Sequence, residues 1–254
     1  MKTFAVTNQK GGVGKTTTTH HLSIALSKLG HRVIAIDLDP QAHLTVALSS
    51  SARSGSIYDV LVGTKNAADC IRATNAGVDL IAAEQLLARF EKSTPTGNQW
   101  TALCGRLDAI RSSYDFALID TPPSLGDLSI NALVAADAGV LIPLIPEPLS
   151  LKGLQHLINT VSEVKPLNPS LEICGLVPTM VHSRWATHSS VLDVLPHVLP
   201  DVAVLTRVPE HGSFVRATAR RCSIFDLAPR SSGAVAYTEL AADLVLRTES
   251  VKAA

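Results

Sequence analysis

Short apolar runs alternate along the chain with segments of helical periodicity. The runs that predict strands lie at residues 4–6, 32–37, 78–82, 116–120, 139–144, 172–177 and 202–208. They are nearly continuous rather than alternating, which is typical of parallel strands that are buried on both faces. The intervening segments predict helices, including residues 18–29 and 233–247, and polar loops are predicted at 49–56 and 93–98. We therefore predict an α/β fold in one domain spanning residues 1–254, with a mostly parallel, twisted sheet and helices on both faces.

Composition narrows the class of protein. Hydrophobic residues make up 46% of the chain, which is enough for a large core. Charged residues make up only 17%, which argues against disorder. Lys plus Arg and Asp plus Glu both number 22, so binding to nucleic acid would require a local basic patch. The four cysteines form no C-x-x-C pair, which argues against zinc and iron–sulfur sites. Without a signal peptide or a membrane-spanning run, we expect a cytoplasmic protein.

A glycine-rich turn joins the first predicted strand to the first predicted helix. Such a turn points backbone N–H groups at one spot, at the positive end of the helix dipole, and so binds phosphate. Lys15 can reach the β- and γ-phosphates, and the Thr16 hydroxyl can ligate Mg²⁺. Gln9 stands where the usual pattern has glycine, and a second lysine, Lys10, opens the loop. The residues predicted to bind the phosphates are Gly11, Gly12, Val13, Gly14, Lys15, Thr16 and Thr17.

Acidic side chains end two of the predicted strands. Asp37 and Asp39 close the second strand, and Asp120 closes the fourth. Because strands of a parallel sheet present their carboxyl ends at one edge, these acids are expected beside the glycine-rich turn. Hydrated Mg²⁺ prefers carboxylate ligands, and a carboxylate can also orient water for attack on a γ-phosphate. The loop at residues 121–126 contains two prolines and a glycine, which suits a segment that senses the γ-phosphate.

These motifs together resemble the ParA/MinD family of ATPases with a deviant Walker A box. Residues 10–17 are similar to that box, residues 37–41 to the Walker A′ segment, and residues 120–125 to Walker B and switch II. Residues 131–137 and 229–234 are similar to the small ParA branch. The resemblance covers nearly the whole chain, and it implies a P-loop fold that binds ATP or ADP with Mg²⁺.

The resemblance also implies a role for each motif residue. Lys10 would cross a dimer interface to the partner's phosphates, and Lys15 would hold the phosphates of its own subunit. Thr16 would ligate Mg²⁺, and Thr17 would contact the α-phosphate. The acidic residues would divide the remaining work: Asp37 and Asp120 hold the metal's water shell, and Asp39 positions the hydrolytic water. The residues expected to contact adenine are Thr179, Met180, Pro209 and Glu210.

Membership of the small ParA branch implies particular partners. Its members bind DNA nonspecifically as ATP-dependent homodimers, and a ParB-like or cargo-adaptor protein stimulates hydrolysis. The last predicted helix lacks a basic face, so the membrane attachment of MinD-like relatives is not expected. The early position of the P-loop argues against an operator-binding domain before it. Residues 191–204 contain no Lys or Arg, unlike many relatives. The candidate DNA contacts, here called the arginine surface, are Arg207, Arg216, Arg220 and Arg221, with Arg184 and Arg230.

Three hypotheses follow for the function. The first is a Mg²⁺-dependent ATPase, slow without its partner, that partitions DNA or positions cargo. The second is a nucleotide-gated regulator or positioning adaptor with little turnover or DNA binding. The third is a metabolic P-loop enzyme that transfers phosphate to a small molecule, and the acidic segments at residues 37–41 and 120–123 argue against it.

Overall fold

The computed structural model describes residues 1–48, 55–91 and 99–250. The loop predicted at residues 93–98 lies outside these ranges, as does nearly all of the loop at 49–56. Within the described residues, the strands are β1 (Lys2–Val6), β2 (Val33–Asp37), β3 (Ile71–Ala73), β4 (Asp79–Ile81), β5 (Phe116–Asp120), β6 (Gly139–Leu144) and β7 (Ile173–Pro178). They form one sheet in the order β3-β4-β2-β5-β1-β6-β7. All neighbouring strands are parallel except β3 and β4, which confirms the predicted fold class.

Helices cover both faces of the sheet. They are α1 (Lys15–Lys28), α2 (His43–Leu48), α3 (Ile57–Val62), α4 (Ala102–Leu107), α5 (Asp127–Ala135), α6 (Pro148–Val164), α7 (Ala186–Val198), α8 (Gly212–Ala219), α9 (Ile224–Leu227) and α10 (Ser232–Ser250). Two hydrophobic clusters result. Ile34 and Ile36 of β2 belong to one and Val33 and Ala35 to the other, as expected when side chains alternate across a strand. The first cluster packs under α3 to α7, and the second packs under α1, α2 and α10.

The strand predicted at residues 202–208 is wrong. This segment runs beside β7 and forms one isolated parallel bridge with it, between Leu176 and Val204, rather than a strand. The Leu176 N–H donates to the Ala203 carbonyl, and the Leu205 N–H donates to the Leu176 carbonyl. The next N–H that would continue this ladder belongs to Pro178, which has none. The Val208 N–H still donates to the Pro178 carbonyl at 2.7 Å, one residue out of register, so the regular ladder stops after one bridge.

The first helix begins three residues earlier than predicted, at Lys15 rather than at residue 18. Gly14, with φ of 87°, precedes it as the N-cap. The edge strand β3 was not predicted, because three residues are too short to show a periodic pattern. Within the described ranges, no helix is both long and apolar enough to cross a bilayer.

Candidate nucleotide-binding site

The glycine-rich turn lies at the carboxyl end of β1 and leads directly into α1. Gly12 and Gly14 have φ of 74° and 87°, a left-handed conformation that favours glycine. These two positions let the turn reverse so that α1 starts at Lys15, with its first N–H groups free for a ligand. Asn8, which the sequence analysis did not single out, accepts a hydrogen bond from the Lys10 N–H at 3.0 Å. Its amide donates to the Pro143 carbonyl of β6 at 2.7 Å, which anchors the start of the loop.

The sheet brings Asp120 to the glycine-rich turn. β5 lies between β1 and β2, and Asp120 is level with both Val6 and Asp37. The Thr16 hydroxyl donates to Asp120 Oδ2 at 2.7 Å. Thr19, one turn further along α1, donates to Asp120 Oδ1 at 3.3 Å. The predicted Walker A hydroxyl and the predicted Walker B carboxylate are therefore in direct contact.

Asp37 and Asp120 are both fully buried. Burial raises the pKa of Asp37 to about 6, and the charge of Asp39 adds to this shift. Burial raises the pKa of Asp120 well above its usual range, and the charge of Asp37 adds to that shift. Two buried carboxylates of like charge favour a nearby cation. No group of three or more His, Cys, Asp or Glu side chains suited to a metal occurs in the described part of the chain. One hydroxyl and two carboxylates fit Mg²⁺, which keeps several of its waters.

Asp37 also organises the segment that follows β2. Its Oδ2 accepts hydrogen bonds from the Thr45 N–H at 2.8 Å and the Thr45 hydroxyl at 2.7 Å, and its Oδ1 accepts from the Asp39 N–H at 3.1 Å. Asp39 is 7% exposed, and its Oδ1 accepts from the Gln41 N–H at 2.9 Å. Thr45 was missed because a single threonine early in a helix carries no distinctive sequence signal.

The two lysines of the loop differ in burial and partners. Lys15 is 7% exposed, and its ammonium lies 3.3 Å from the Lys10 carbonyl. Burial lowers the pKa of Lys15, and the charges of Asp120 and Asp39 oppose that shift. The Lys10 side chain is 41% exposed and forms an ion pair of 2.6 Å with Glu147, immediately before α6.

A cavity of about 210 Å³, here called the base cavity, adjoins the loop. Gly14, Thr17 and all four residues predicted to contact adenine line it. Thr179 joins the cavity to the loop, since its hydroxyl donates to the Val13 carbonyl at 2.8 Å. The residues that sequence reasoning missed include Phe214, Val215 and Thr218 of α8 and Tyr237 of α10. Apolar residues on amphipathic helices resemble ordinary core positions, so no sequence signal marked them.

All six members of the arginine surface are exposed. Within the described ranges, none of their guanidinium groups forms an ion pair with a carboxylate. Arg207 and Arg230 line one groove of about 630 Å³, here called the arginine groove. Arg216 lies on α8 and donates to the Ser213 hydroxyl at 2.8 Å, while Arg220 and Arg221 follow that helix.

The chain is similar in sequence to known proteins. A family model described as an AAA domain matches residues 1–173. The chain is 38% identical over 248 residues to the sporulation initiation inhibitor protein Soj of Bacillus subtilis, covering 96% of this chain and 98% of that protein. It is 38% identical over 260 residues to the chromosome partitioning protein ParA of Caulobacter vibrioides, covering 97% and 95%.

A solved structure shows the same fold with nucleotide and metal. Cobyrinic acid a,c-diamide synthase from Mycobacterium smegmatis, with bound ADP and magnesium, superimposes with a TM-score of 0.85 and is 33% identical, covering 98% of this chain and 96% of that chain. The chain is similar to Soj and ParA over nearly its full length. Its P-loop hydroxyl, on Thr16, also contacts Asp120, the carboxylate that ends β5. The chain belongs to the ParA/Soj family of P-loop ATPases.

Proposed function

We propose that the chain is a Mg²⁺-dependent ATPase that forms an ATP-sandwich dimer, binds DNA nonspecifically and drives DNA partitioning or cargo positioning. A ParB-like or cargo-adaptor protein would stimulate its hydrolysis. The observation that carries the proposal is the 2.7 Å hydrogen bond from Thr16 to Asp120. It places a hydroxyl and a carboxylate suited to Mg²⁺ at the start of a helix whose N–H groups bind phosphate. Bound Mg²⁺ would neutralise charge on the β- and γ-phosphates.

Within one subunit, the loop residues would bind and orient the nucleotide. Residues 11–17 hold the phosphates, with Lys15 as their buried cation, while Thr16 and the carboxylates of Asp37 and Asp120 hold the metal and its waters. Asp39 orients the attacking water. A carboxylate is a weak base, so turnover is slow until a partner completes the site.

The trans role of Lys10 is supported by its exposure. Its ion pair with Glu147 joins two half-exposed side chains, 41% and 44% exposed. Exposed pairs of this kind contribute about 0–1 kcal/mol, so the contact does not commit Lys10 to its own subunit. A γ-phosphate on a second subunit offers this lysine a more highly charged partner, which makes dimerisation depend on ATP.

The proposed DNA contacts are the exposed guanidinium groups of the arginine surface. None of them forms an ion pair among the described residues, although Glu239 lines the same groove as Arg207 and Arg230, and arginine suits phosphate contacts. The Soj and ParA relatives are named for the inhibition of sporulation initiation and for chromosome partitioning, which favours a DNA-linked role here. We also propose that residues 1–254 act as one domain and that the protein is cytoplasmic, located on the nucleoid when it binds DNA.

Phosphate release tests the proposal most simply. The purified protein is assayed with Mg·ATP alone, with duplex DNA, and with DNA plus the protein encoded by a neighbouring gene. We expect slow hydrolysis that the full mixture stimulates several-fold, and an Asp39→Ala protein that does not respond. ATP binding without hydrolysis in any mixture would instead support the nucleotide-gated regulator.

A metabolic function has one observation in its favour. The solved structure with bound ADP and magnesium carries the name of a diamide synthase, an enzyme of small-molecule chemistry. A screen of carboxylate substrates for ATP-dependent product formation separates the two functions. We expect no substrate-dependent ADP release, and a carboxylate that accelerates it would overturn the partitioning proposal.

A further inference from the structure

The loop at residues 121–126, here called the β5–α5 loop, is tied to the helix that follows it. The Ser129 hydroxyl of α5 donates a hydrogen bond to the Ser124 carbonyl of the loop. Gly126 is the N-cap residue of α5, and it has no side chain that could accept from the first N–H groups of the helix. The start of α5 is therefore open to an acceptor from another part of the chain.

Glu91 supplies that acceptor. Its carboxylate accepts a hydrogen bond from the N–H of Leu128, the second residue of α5. Its Oε1 also lies against Gly126, because a Cβ added to that glycine would be only 2.5 Å from this oxygen. A carboxylate is favourable at the positive end of a helix dipole. Glu91 therefore contacts both the last residue of the β5–α5 loop and the first turn of the helix.

Negative charge accumulates around this contact. Asp127 begins α5, and its carboxylate accepts from the Gln99 amide at 2.7 Å and from the Trp100 indole at 2.8 Å. Burial raises the pKa of Glu91, and the charges of Asp127 and Asp39 add to the shift, while the Leu128 N–H opposes it. Within the described ranges, Glu91 forms no ion pair. No cation therefore balances its charge in this part of the chain.

Glu91 lies on the side of the site where the γ-phosphate is proposed to bind. The charge of Asp39 acts on the Lys15 ammonium and also on the Glu91 carboxyl. Lys15 is the proposed cation for the phosphates, and Asp39 is proposed to orient the water that attacks the γ-phosphate. The β5–α5 loop also leaves the sheet at Asp120, level with the end of β1. The Glu91 charge therefore acts close to the proposed position of the γ-phosphate.

We propose that Glu91 sets the preference of the site for ATP over ADP, because its carboxylate opposes a γ-phosphate beside the β5–α5 loop. The proposal rests on the proposed function, since it requires a nucleotide at residues 10–17. Like charges repel more strongly at short range, so the repulsion acts on the γ-phosphate more than on the β-phosphate. A γ-phosphate that repels Glu91 weakens its contact with Gly126, which frees the loop to approach the nucleotide. ADP leaves this contact in place.

The first test removes the charge and keeps the hydrogen bond. Glu91→Gln retains an oxygen acceptor for the Leu128 N–H at nearly the same volume. Mg·ADP and the Mg²⁺ complex of a nonhydrolysable ATP analogue are titrated calorimetrically, in a Lys10→Ala background so that dimerisation does not contribute. We expect the ratio of analogue affinity to ADP affinity to rise about threefold to tenfold, mainly through tighter binding of the analogue. Glu163→Gln, an exposed position near the end of α6, is the matched control and should keep the parental ratio.

A second test separates charge from structure. Dissolved salt screens exposed charges, so the difference between Glu91→Gln and its parent should shrink as NaCl rises from about 50 mM to about 500 mM. Glu91→Ala lacks the charge and also the acceptor, and it should raise the affinity ratio as Glu91→Gln does.

The outcomes distinguish this inference from the proposed function. An unchanged or lowered affinity ratio in Glu91→Gln, or a ratio that changes only in Glu91→Ala, would assign Glu91 a purely structural role. Either result overturns the inference and leaves the ATPase proposal intact. A parent protein that binds neither ADP nor the analogue overturns both.

Discussion

The arginine surface differs in structure from the phosphate end of the nucleotide-binding site, which is the glycine-rich loop of residues 10–17 together with Asp37, Asp39 and Asp120. Lys15 and Asp120 are buried, hydrogen-bonded and fixed by the junction of strands and helix. The arginines are exposed, without ion pairs among the described residues, and spread over the groove and the end of α8. The first arrangement concentrates binding energy in single residues. The second distributes the binding energy over exposed contacts, which dissolved salt weakens by screening. The effects of substitutions in the two regions should therefore differ in size and in salt dependence.

Replacing Lys15 with Ala should produce the largest effect. It removes a buried cation from beside Asp120 and Asp39. We expect the binding free energy of Mg·ADP to fall by about 3–5 kcal/mol, which is roughly a 200- to 5000-fold loss of affinity. Calorimetric titration measures it. Lys28→Ala, which changes an exposed lysine at the end of the same helix, is the control and should bind normally. A loss of Mg·ADP affinity below tenfold in Lys15→Ala would show that binding at the phosphate end does not depend mainly on this residue.

Asp39→Ala should lower kcat about 100-fold and leave the affinity for nucleotide close to that of the parent, because it removes only the group that orients water. Single-turnover phosphate release measures the first effect, and ADP titration measures the second. Hydrolysis at the parental rate would remove Asp39 from the mechanism.

The buried histidines of α1 should make the stability of the folded chain sensitive to acid. Burial lowers the pKa of His21 to about 4 and that of His20 to about 3. The unfolded chain takes up these protons below pH 6.5, before the folded chain does, so stability is lost as pH falls from 6.5 toward 4. Each histidine contributes a loss of about 2 kcal/mol between pH 6.5 and 5.

Denaturant unfolding at pH 7 and pH 5 tests this sensitivity. His21→Phe should reduce the difference in stability between the two pH values by about 2 kcal/mol. The raised pKa of Asp37 has the opposite sign and is common to both proteins, so it cancels in the comparison. His156→Phe, an exposed position on α6, should match the parent. Equal pH dependence in His21→Phe and the parent would contradict the prediction.

The arginine surface should show the smallest single effects. Arg207→Ala or Arg216→Ala should each weaken DNA binding about threefold to tenfold and reduce the salt slope by about one. Arg32, which is paired with Asp115 at the other end of the sheet, supplies the control substitution. Equal losses from Arg32→Ala and Arg216→Ala would show that binding follows net charge rather than this surface.

The sequence predicted the phosphate end more fully than the rest of the site. Contiguous motifs fix the P-loop, and the parallel sheet then places Asp120 level with Asp37 at the edge where Asp120 contacts Thr16. The base cavity depends on contacts between distant helices, so Phe214 and Tyr237 carried no local signal. The strand predicted at residues 202–208 is interrupted beside Pro178, whose missing N–H breaks the ladder and leaves no mark in the apolar periodicity.

We propose that ATP joins two subunits through Lys10. Sedimentation of the Asp39→Ala protein, which should hold ATP unhydrolysed, measures this most directly when compared with the Lys10→Ala/Asp39→Ala protein at equal ATP saturation. We expect a dimer in the first protein with ATP but not ADP, and a monomer in the second with nucleotide still bound. An ATP-dependent dimer that persists without the Lys10 side chain would contradict it.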